Sequence, residues 1–365
     1  MFAECDITID RCDCITPFGD GSATWRALCE GRSNLRMEPL LGHGDGDTVP
    51  LSLFGHMEPV TPPRWMRHVL QTLAPVTGAE WGRSKTPIFI SSSNFGVDSL
   101  FYYRHEQRLE QLPYAVPHDS VEQIRRELGW SRNISLFSHA CVSAHIAILA
   151  ASAALEAGAE KALVASYDFI SPFVAGGFHS LKILNGALPR PFHAGETGSI
   201  ALGEGAGYLI LKKGGRGLRI RSQSTWNEMH HFTANNPDGS GFENVVGPMM
   251  PMLSGRKLWI KGHGTGTLDA GRLEATSLER LFPQAPLTGW KGSIGHTLGS
   301  CGIVELAIAA RAMEEGRVPG TVGSGAPFFA GNVVAETFDA ASCDTALILS
   351  NAFGGAHAAL ALCHD

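Results

Sequence analysis

Four stretches of the chain carry side chains able to do acyl-type chemistry. Cys141 stands in HACVSAHIAILAA, at the entry to an apolar run. A thiol at the start of a helix feels unpaired N–H groups and the positive end of the dipole, which favour a thiolate nucleophile. HGTGT, Gly262 to Thr267 with its leading glycine, follows the strand-like KLWIK. It puts the imidazole of His263 on a thinly shielded loop, with hydroxyls on Thr265 and Thr267 that can hold a polar, chain-like ligand. Lys291 begins KGSIGHTLGSCG, where a second loop histidine, His296, runs into a helix. Ser350 to His357, SNAFGGAH, ends a strand in Phe353, Gly354 and Gly355. Such a turn can aim backbone N–H groups into a cavity, as an oxyanion hole requires. Read singly, each block also fits an ordinary cysteine of the core or an ordinary glycine turn.

The elements that must hold these residues alternate in type. Apolar strand-like runs are expected at Thr86–Phe95, Ala162–Ser166, Gly205–Lys212, Lys257–Ile260, Asp344–Ser350 and Ala358–Cys363. Helices are expected from about Val142 to Gly158, from about Asp269, and from about Gly302 to Gly316. Continuous apolar strands alternating with helices indicate an α/β fold with covered sheets. The GGRG at 214–217 is the best midpoint, dividing 1–213, with Cys141, from 214–365, with both loop histidines and Lys291. The halves look alike in type without a sequence-level repeat. His43 to Pro63 reads as an irregular surface excursion, and Trp226 to Pro251 as a long loop with turns.

Composition narrows the classes. The 365 residues include 29 Lys and Arg against 35 Asp and Glu, a formal charge of −6. That balance gives no global pull toward nucleic acid or anionic lipid. Hydrophobic residues make up 44%, enough for a sizeable core. Eight cysteines occur without a Cys-x2-Cys pair, so neither a zinc ribbon nor a disulfide framework is indicated. The longest apolar stretch, Ala140 to Leu155, is too short and too polar to span a bilayer. The expectation is a reduced, cytoplasmic protein with no membrane segment. GEGAG, Gly203 to Gly207, precedes a strand instead of linking strand to helix, which argues against a dinucleotide site. His230, His231, His263 and His296 form no metal-ligand spacing, so no metal is expected.

In chain order, the four blocks together resemble the β-ketoacyl synthases of the thiolase-like superfamily. SPFVAGGF (171–178), RPF (190–192), GEGAG, HFTANNPDG (231–239) and the opening TPFGDGSATWRALCEG match that family as well. The resemblance implies a five-layered α-β-α-β-α fold of two similar halves. It implies decarboxylative Claisen condensation, with Cys141 as the acylated nucleophile and His263 and His296 as enolate-stabilising donors. It makes Lys291 the organiser of the histidine loop, with Glu274 in a structural ion pair. The backbone N–H groups of Cys141 and Phe353 become the oxyanion hole, with Gly354 and Asn351 in the gate. Thr265, Thr267 and Thr233 would hold a phosphopantetheine arm. An acyl carrier protein is the expected partner, docking on Arg64 and Arg67 or on Arg125 and Arg126. A homodimer, or a heterodimer with a related subunit, is expected through the sheet edge near the nucleophile, with no metal or redox cofactor.

The departures from the family pattern are specific. Gly271 stands where the family has Asp in the helix after HGTGT. His193, Glu196 and Thr197 replace Asp, Arg and Asp. Asn351 and Ala352 replace an aromatic and a glycine of the late turn, and His357 replaces its final Asn. They indicate a specialised branch, with fatty-acid, polyketide or polyene synthesis open. A non-condensing chain-length-factor-like partner subunit and a Cys-His acyltransferase remain as alternatives.

Overall fold

A computed structural model describes residues 1–40, 47–57, 60–82 and 86–364. The main strands are β1 (Phe2–Thr16), β2 (Ile88–Ser91), β3 (Ile134–Phe137), β4 (Lys161–Asp168), β5 (Gly205–Lys213), β6 (Leu218–Asn227), β7 (Leu258–Lys261), β8 (Leu287–Thr288), β9 (Thr345–Ala352) and β10 (Ala356–His364). The helices that matter for the site are α1 (Arg64–Leu73), α2 (Pro117–Leu128), α3 (Ser143–Glu156), α4 (Ser240–Val246), α5 (Leu268–Leu281) and α6 (Cys301–Glu315).

These strands hydrogen-bond in the order β8-β7-β9-β10-β6-β1-β5-β4-β2-β3. Cut between β6 and β1, the order is the same on both sides: third, second, fourth, fifth, first. In each half the second, third and fourth strands are parallel, and the fifth runs antiparallel between the fourth and the first. The 213/214 division falls in the turn between β5 and β6.

Side-chain alternation sets the layers. Ile88, Ile90, Leu163 and Ala165 face a core shared with α1 and α2. Phe89, Ala162 and Val164 face the opposite way, into a core filled by α3 and α6, which Trp259, Ala346 and Ile348 of the other half enter from beyond. Leu258, Ile260, Leu347 and Leu349 turn outward onto α4 and α5. The succession is therefore α-β-α-β-α, with α3 and α6 as the central layer. Both central helices are apolar nearly all round, as helices buried between two sheets must be.

The glycines of GEGAG serve this central layer. A Cβ on Gly205 or Gly207 would sit 3.0 Å from Val304 or 2.7 Å from Ile303 of α6, and one on Gly203 would overlap the Ile294 carbonyl. They are packing glycines that let α6 and the loop before it approach the sheet.

Three sequence readings need correction. Trp226–Pro251 is not one long loop: β6 runs to Asn227, and Ser240–Val246 is α4. The excursion at 43–63 contains an ordered strand, Thr48–Ser52, paired with Arg36–Pro39 and Leu202–Gly203. Its residues 43–46 and 58–59 lie outside the described residues. The sequence reading also passed over β1 and β6, the seam of the two halves. Their alternating polar residues, as in Leu218–Asn227 (LRIRSQSTWN), disguise them.

Candidate active site

Cys141 sits just ahead of α3, after a sharp turn in which Ala140 adopts φ 47°. That left-handed conformation is unusual for a residue with a Cβ. Ser143 fixes the turn: its hydroxyl accepts from the His139 amide at 2.7 Å and donates to the Ala140 carbonyl at 2.6 Å. The residue is half-buried, and burial pushes the thiol well above its ordinary range, with Lys291 opposing. Desolvation thus works against the thiolate that the helix terminus favours.

His263 and His296 reach the same point from the second half. Their rings meet edge to face, with centroids 4.9 Å apart at 83°. One ligand atom from each histidine and the Cys141 sulfur all lie within 4.8 Å of one another. Among the described residues this is the only cluster of three or more His, Cys, Asp or Glu with the spacing of a metal site, and it contains no carboxylate. His296 Nδ1 accepts the Leu298 amide at 3.0 Å, so in the neutral ring the proton is on Nε2. Burial, reinforced by Lys291, drives both imidazoles well below their ordinary pKa. They stand as neutral N–H donors, the form that can stabilise an oxyanion.

The loop that carries His263 is held from both sides. Glu274 of α5 accepts the backbone amides of His263 and, at 2.9 Å, Gly264. Lys291 donates to the His263 carbonyl at 2.7 Å. The expected ion pair between Lys291 and Glu274 is replaced: Lys291 pairs with Glu305 of α6 at 2.6 Å, and the second oxygen of Glu305 pairs with Lys261. Sequence reasoning missed both Lys261 and Glu305. Their signals were a lysine closing an apolar strand and a glutamate inside the apolar run CGIVELAIAA. It also missed Cys301, whose buried thiol donates to the Cys141 carbonyl at 3.2 Å and whose pKa burial raises to about 11.

Thr265 and Thr267 bring their hydroxyls to 3.1 Å of each other beside His263. Thr233 is exposed on the segment after β6, its amide donating to His231 Nδ1 at 3.2 Å. No hydrogen bond among the described residues joins it to the threonine pair. Phe353 is 39% exposed and stacks on Phe178, while Gly354 and Gly355 take φ of 84° and 73°.

Asn351 is not beside the nucleophile. Along β9, Ser350 and Ala352 face the central layer, where Ala352 packs with Val142. Asn351 faces the other way, and its Oδ1 lies 3.1 Å from His357 Nδ1. The far nitrogen of His357 faces Glu228 at 3.4 Å. Glu228 in turn donates its amide to the Gly355 carbonyl at 3.0 Å. Two departures from the family pattern are thus each other's partners, and they tie the late turn to the segment after β6.

The other departures resolve differently. His193 is buried and bonds the Gly325 carbonyl at 2.7 Å, whereas Glu196 and Thr197 are exposed. Gly271 packs against the Phe192 backbone. Of the docking cations, Arg64 is withdrawn: it is only 10% exposed, ion-paired with buried Glu204, and donates to the Ile170 carbonyl. Arg125 is held by Glu122 and the Trp130 carbonyl. Arg67 and Arg126 remain on the surface, Arg126 with Glu122 beside it. No described helix is long and apolar enough to cross a membrane.

Comparison with known proteins agrees with this architecture. Residues 220–324 match the family of β-ketoacyl synthase C-terminal domains. The chain is 27% identical over 287 residues, 71% of its own length, to the tetracenomycin polyketide synthase ketoacyl synthase alpha subunit of Streptomyces glaucescens. The matched stretch spans 66% of that subunit and as little as about half of other curated relatives. Among solved structures, the fold matches a type II polyketide acyl carrier protein–ketosynthase complex, AntDE:AntF, with TM-score 0.85 at 15% identity over the full length of both chains. It also matches the ketosynthase ApeO with its chain length factor ApeC from Xenorhabdus doucetiae, with TM-score 0.83 at 20% identity over 99% and 98% of the chains. The fold is the thiolase-like one. Over residues 220–324 the chain is similar to the β-ketoacyl synthase C-terminal domains, and over its full length it shares the fold of solved ketosynthases.

Proposed function

We propose that the protein is a β-ketoacyl-[acyl carrier protein] synthase. The observation that carries this reading is the convergence of the Cys141 sulfur with two neutral imidazoles within 4.8 Å. In the first half-reaction the Cys141 sulfur attacks a carrier-bound acyl thioester. The S–H proton passes to the departing pantetheine thiolate, and the carbonyl oxygen takes hydrogen bonds from the amides of Cys141 and Phe353. Thr265 and Thr267 hold the pantetheine arm. In the second, a malonyl thioester loses CO2 and the electron pair of the broken C–C bond moves into an enolate. Its oxygen is held by His263 and His296. The enolate carbon attacks the acyl carbonyl, and the sulfur leaves as a thiolate that takes up one proton from solvent to restore the thiol. These steps require no metal and no redox cofactor. The raised thiol pKa fits a nucleophile that loses its proton as it attacks.

The partner we infer is an acyl carrier protein, approaching over Arg67 and Arg126. The second subunit is this chain or a related one, set along the exposed edge strand β3, from which the chain runs on to Cys141. A partner-subunit role without condensation is the second reading. It draws on the ketosynthase–chain length factor pairing of a structural neighbour.

The test is intact-protein mass after incubation with a panel of acyl carrier thioesters, with Cys141→Ala as control, followed by malonyl carrier protein. An acyl adduct on the wild type alone, discharged into a β-ketoacyl product, is expected. Discharge only to water or another acceptor would establish an acyltransferase. No adduct with any chain length would leave the partner-subunit reading.

A further inference from the structure

β7 ends in a lysine with no solvent exposure. Strand alternation places Lys261 on the face of Trp259, toward α6. There its ammonium pairs with one oxygen of Glu305, while the other oxygen of that carboxylate takes Lys291 at 2.6 Å. Lys291 passes the hold on to the His263 carbonyl. One carboxylate is thus gripped from two sides, although a single ammonium would neutralise it. Burying a second ammonium here is costly, and an apolar side chain would fill the same space without that cost.

We propose that Lys261 is a positioning residue of the condensing site, clamping Glu305 so that Lys291 fixes the histidine loop. The proposal rests on the condensing reading above. The groups facing Lys261 are Glu305 and Cys301 from α6, Lys291, the Trp290 ring at 6.0 Å, Glu274 from α5, His263, His296, and His145 from α3. With both lysines and both glutamates ionised, the buried cluster is neutral. Burial and Lys291 push the Lys261 ammonium down to about 8, against the pull of Glu305. Below that pH the clamp is charged and closed. Above it, Glu305 keeps only Lys291.

The test compares wild type with Lys261→Met, Glu305→Gln and the double variant in three readouts: Cys141 acylation, malonyl decarboxylation against pH, and hydrogen exchange of the 262–267 segment. Lys261→Met is expected to retain acylation within about twofold and to lose decarboxylation about tenfold, less than the roughly 100- to 1000-fold cost of removing an oxyanion donor outright, because the donor is displaced and not deleted. The wild type should lose decarboxylation on the alkaline side, where Lys261 sheds its proton, and the variant should lack that fall; exchange in 262–267 should quicken. The double variant should be no worse than Glu305→Gln alone, because both act through one carboxylate. Equal losses of acylation and decarboxylation, unchanged exchange in 262–267, or additive effects would each overturn the clamp. If the wild type decarboxylates nothing while the loop still loosens in Lys261→Met, the condensing reading falls and the clamp stands.

Discussion

A neutral imidazole and a charged one do opposite things beside an enolate. The neutral ring donates a hydrogen bond without disturbing the charge balance of a buried site, whereas the imidazolium must first be formed at the expense of desolvation. At His296 the tautomer is set by one bond, from the Leu298 amide to Nδ1, which leaves Nε2–H to donate. Replacing His296 with Ala removes that donor and leaves the Cys141 turn, which Ser143 holds independently. Malonyl decarboxylation should therefore fall by about 100- to 1000-fold, the usual cost of one oxyanion donor. Acylation of Cys141 should persist. Parallel measurement of adduct mass and CO2 release checks this, and a comparable loss of both would remove His296 from the enolate site.

At the scale of elements, the site depends on two loops docking against glycines. His296 is carried between Gly295, at φ 70°, and α6, and its amide bonds the Ala201 carbonyl at 2.7 Å. Gly203 lies against the Ile294 carbonyl so closely that a methyl group there would overlap it. Gly203→Ala must therefore push the 294–296 loop away from the sheet. Overpacking of this kind costs about 1–3 kcal/mol of stability. Its larger effect should be on decarboxylation, since His296 moves with the loop and small displacements near the chemistry are costly. Kinetics together with a denaturation midpoint separate the two, and a variant with full activity would show that the loop finds another seat. This level was partly legible. Cys141, the HGTGT loop, Lys291 and the Phe-Gly-Gly turn announced themselves because glycine and polar residues interrupt apolar runs. Glu305 and Lys261 did not, because their roles are to meet each other across 44 residues, which no local pattern encodes. Asn351 and His357 were visible as departures. Their pairing needed the β9–β10 register, which sets them opposite each other.

At the scale of the whole molecule, the layers decide what protonation costs. The strand order of the two halves was out of reach of sequence because β1 and β6, which join them, carry too many polar residues to read as core strands. Once joined, the halves bury the central layer between them, and His145 of α3 lies within it at 3% exposure. Neither of its ring nitrogens has a hydrogen-bond partner among the described residues. Burial lowers its pKa to about 4, from an ordinary 6.5. The folded protein therefore refuses a proton that the unfolded chain accepts below pH 6.5. Stability is drained as pH falls from 6.5 to 4, at about 1.4 kcal/mol per pH unit for this one group. Asp98 and Asp168, raised to about 6 by burial, work in the opposite sense over part of that window. The net acid profile mixes these effects, so the His145 contribution is best read as a difference. His145→Leu removes the titrating group and the unpartnered nitrogens together. The stability of the variant relative to wild type should rise by about 3 kcal/mol between pH 7 and pH 4. Urea denaturation at several pH values measures it. A gap that stays constant across that range would mean that His145 takes up its proton in the folded state, and that the central layer is open to water where the structure closes it.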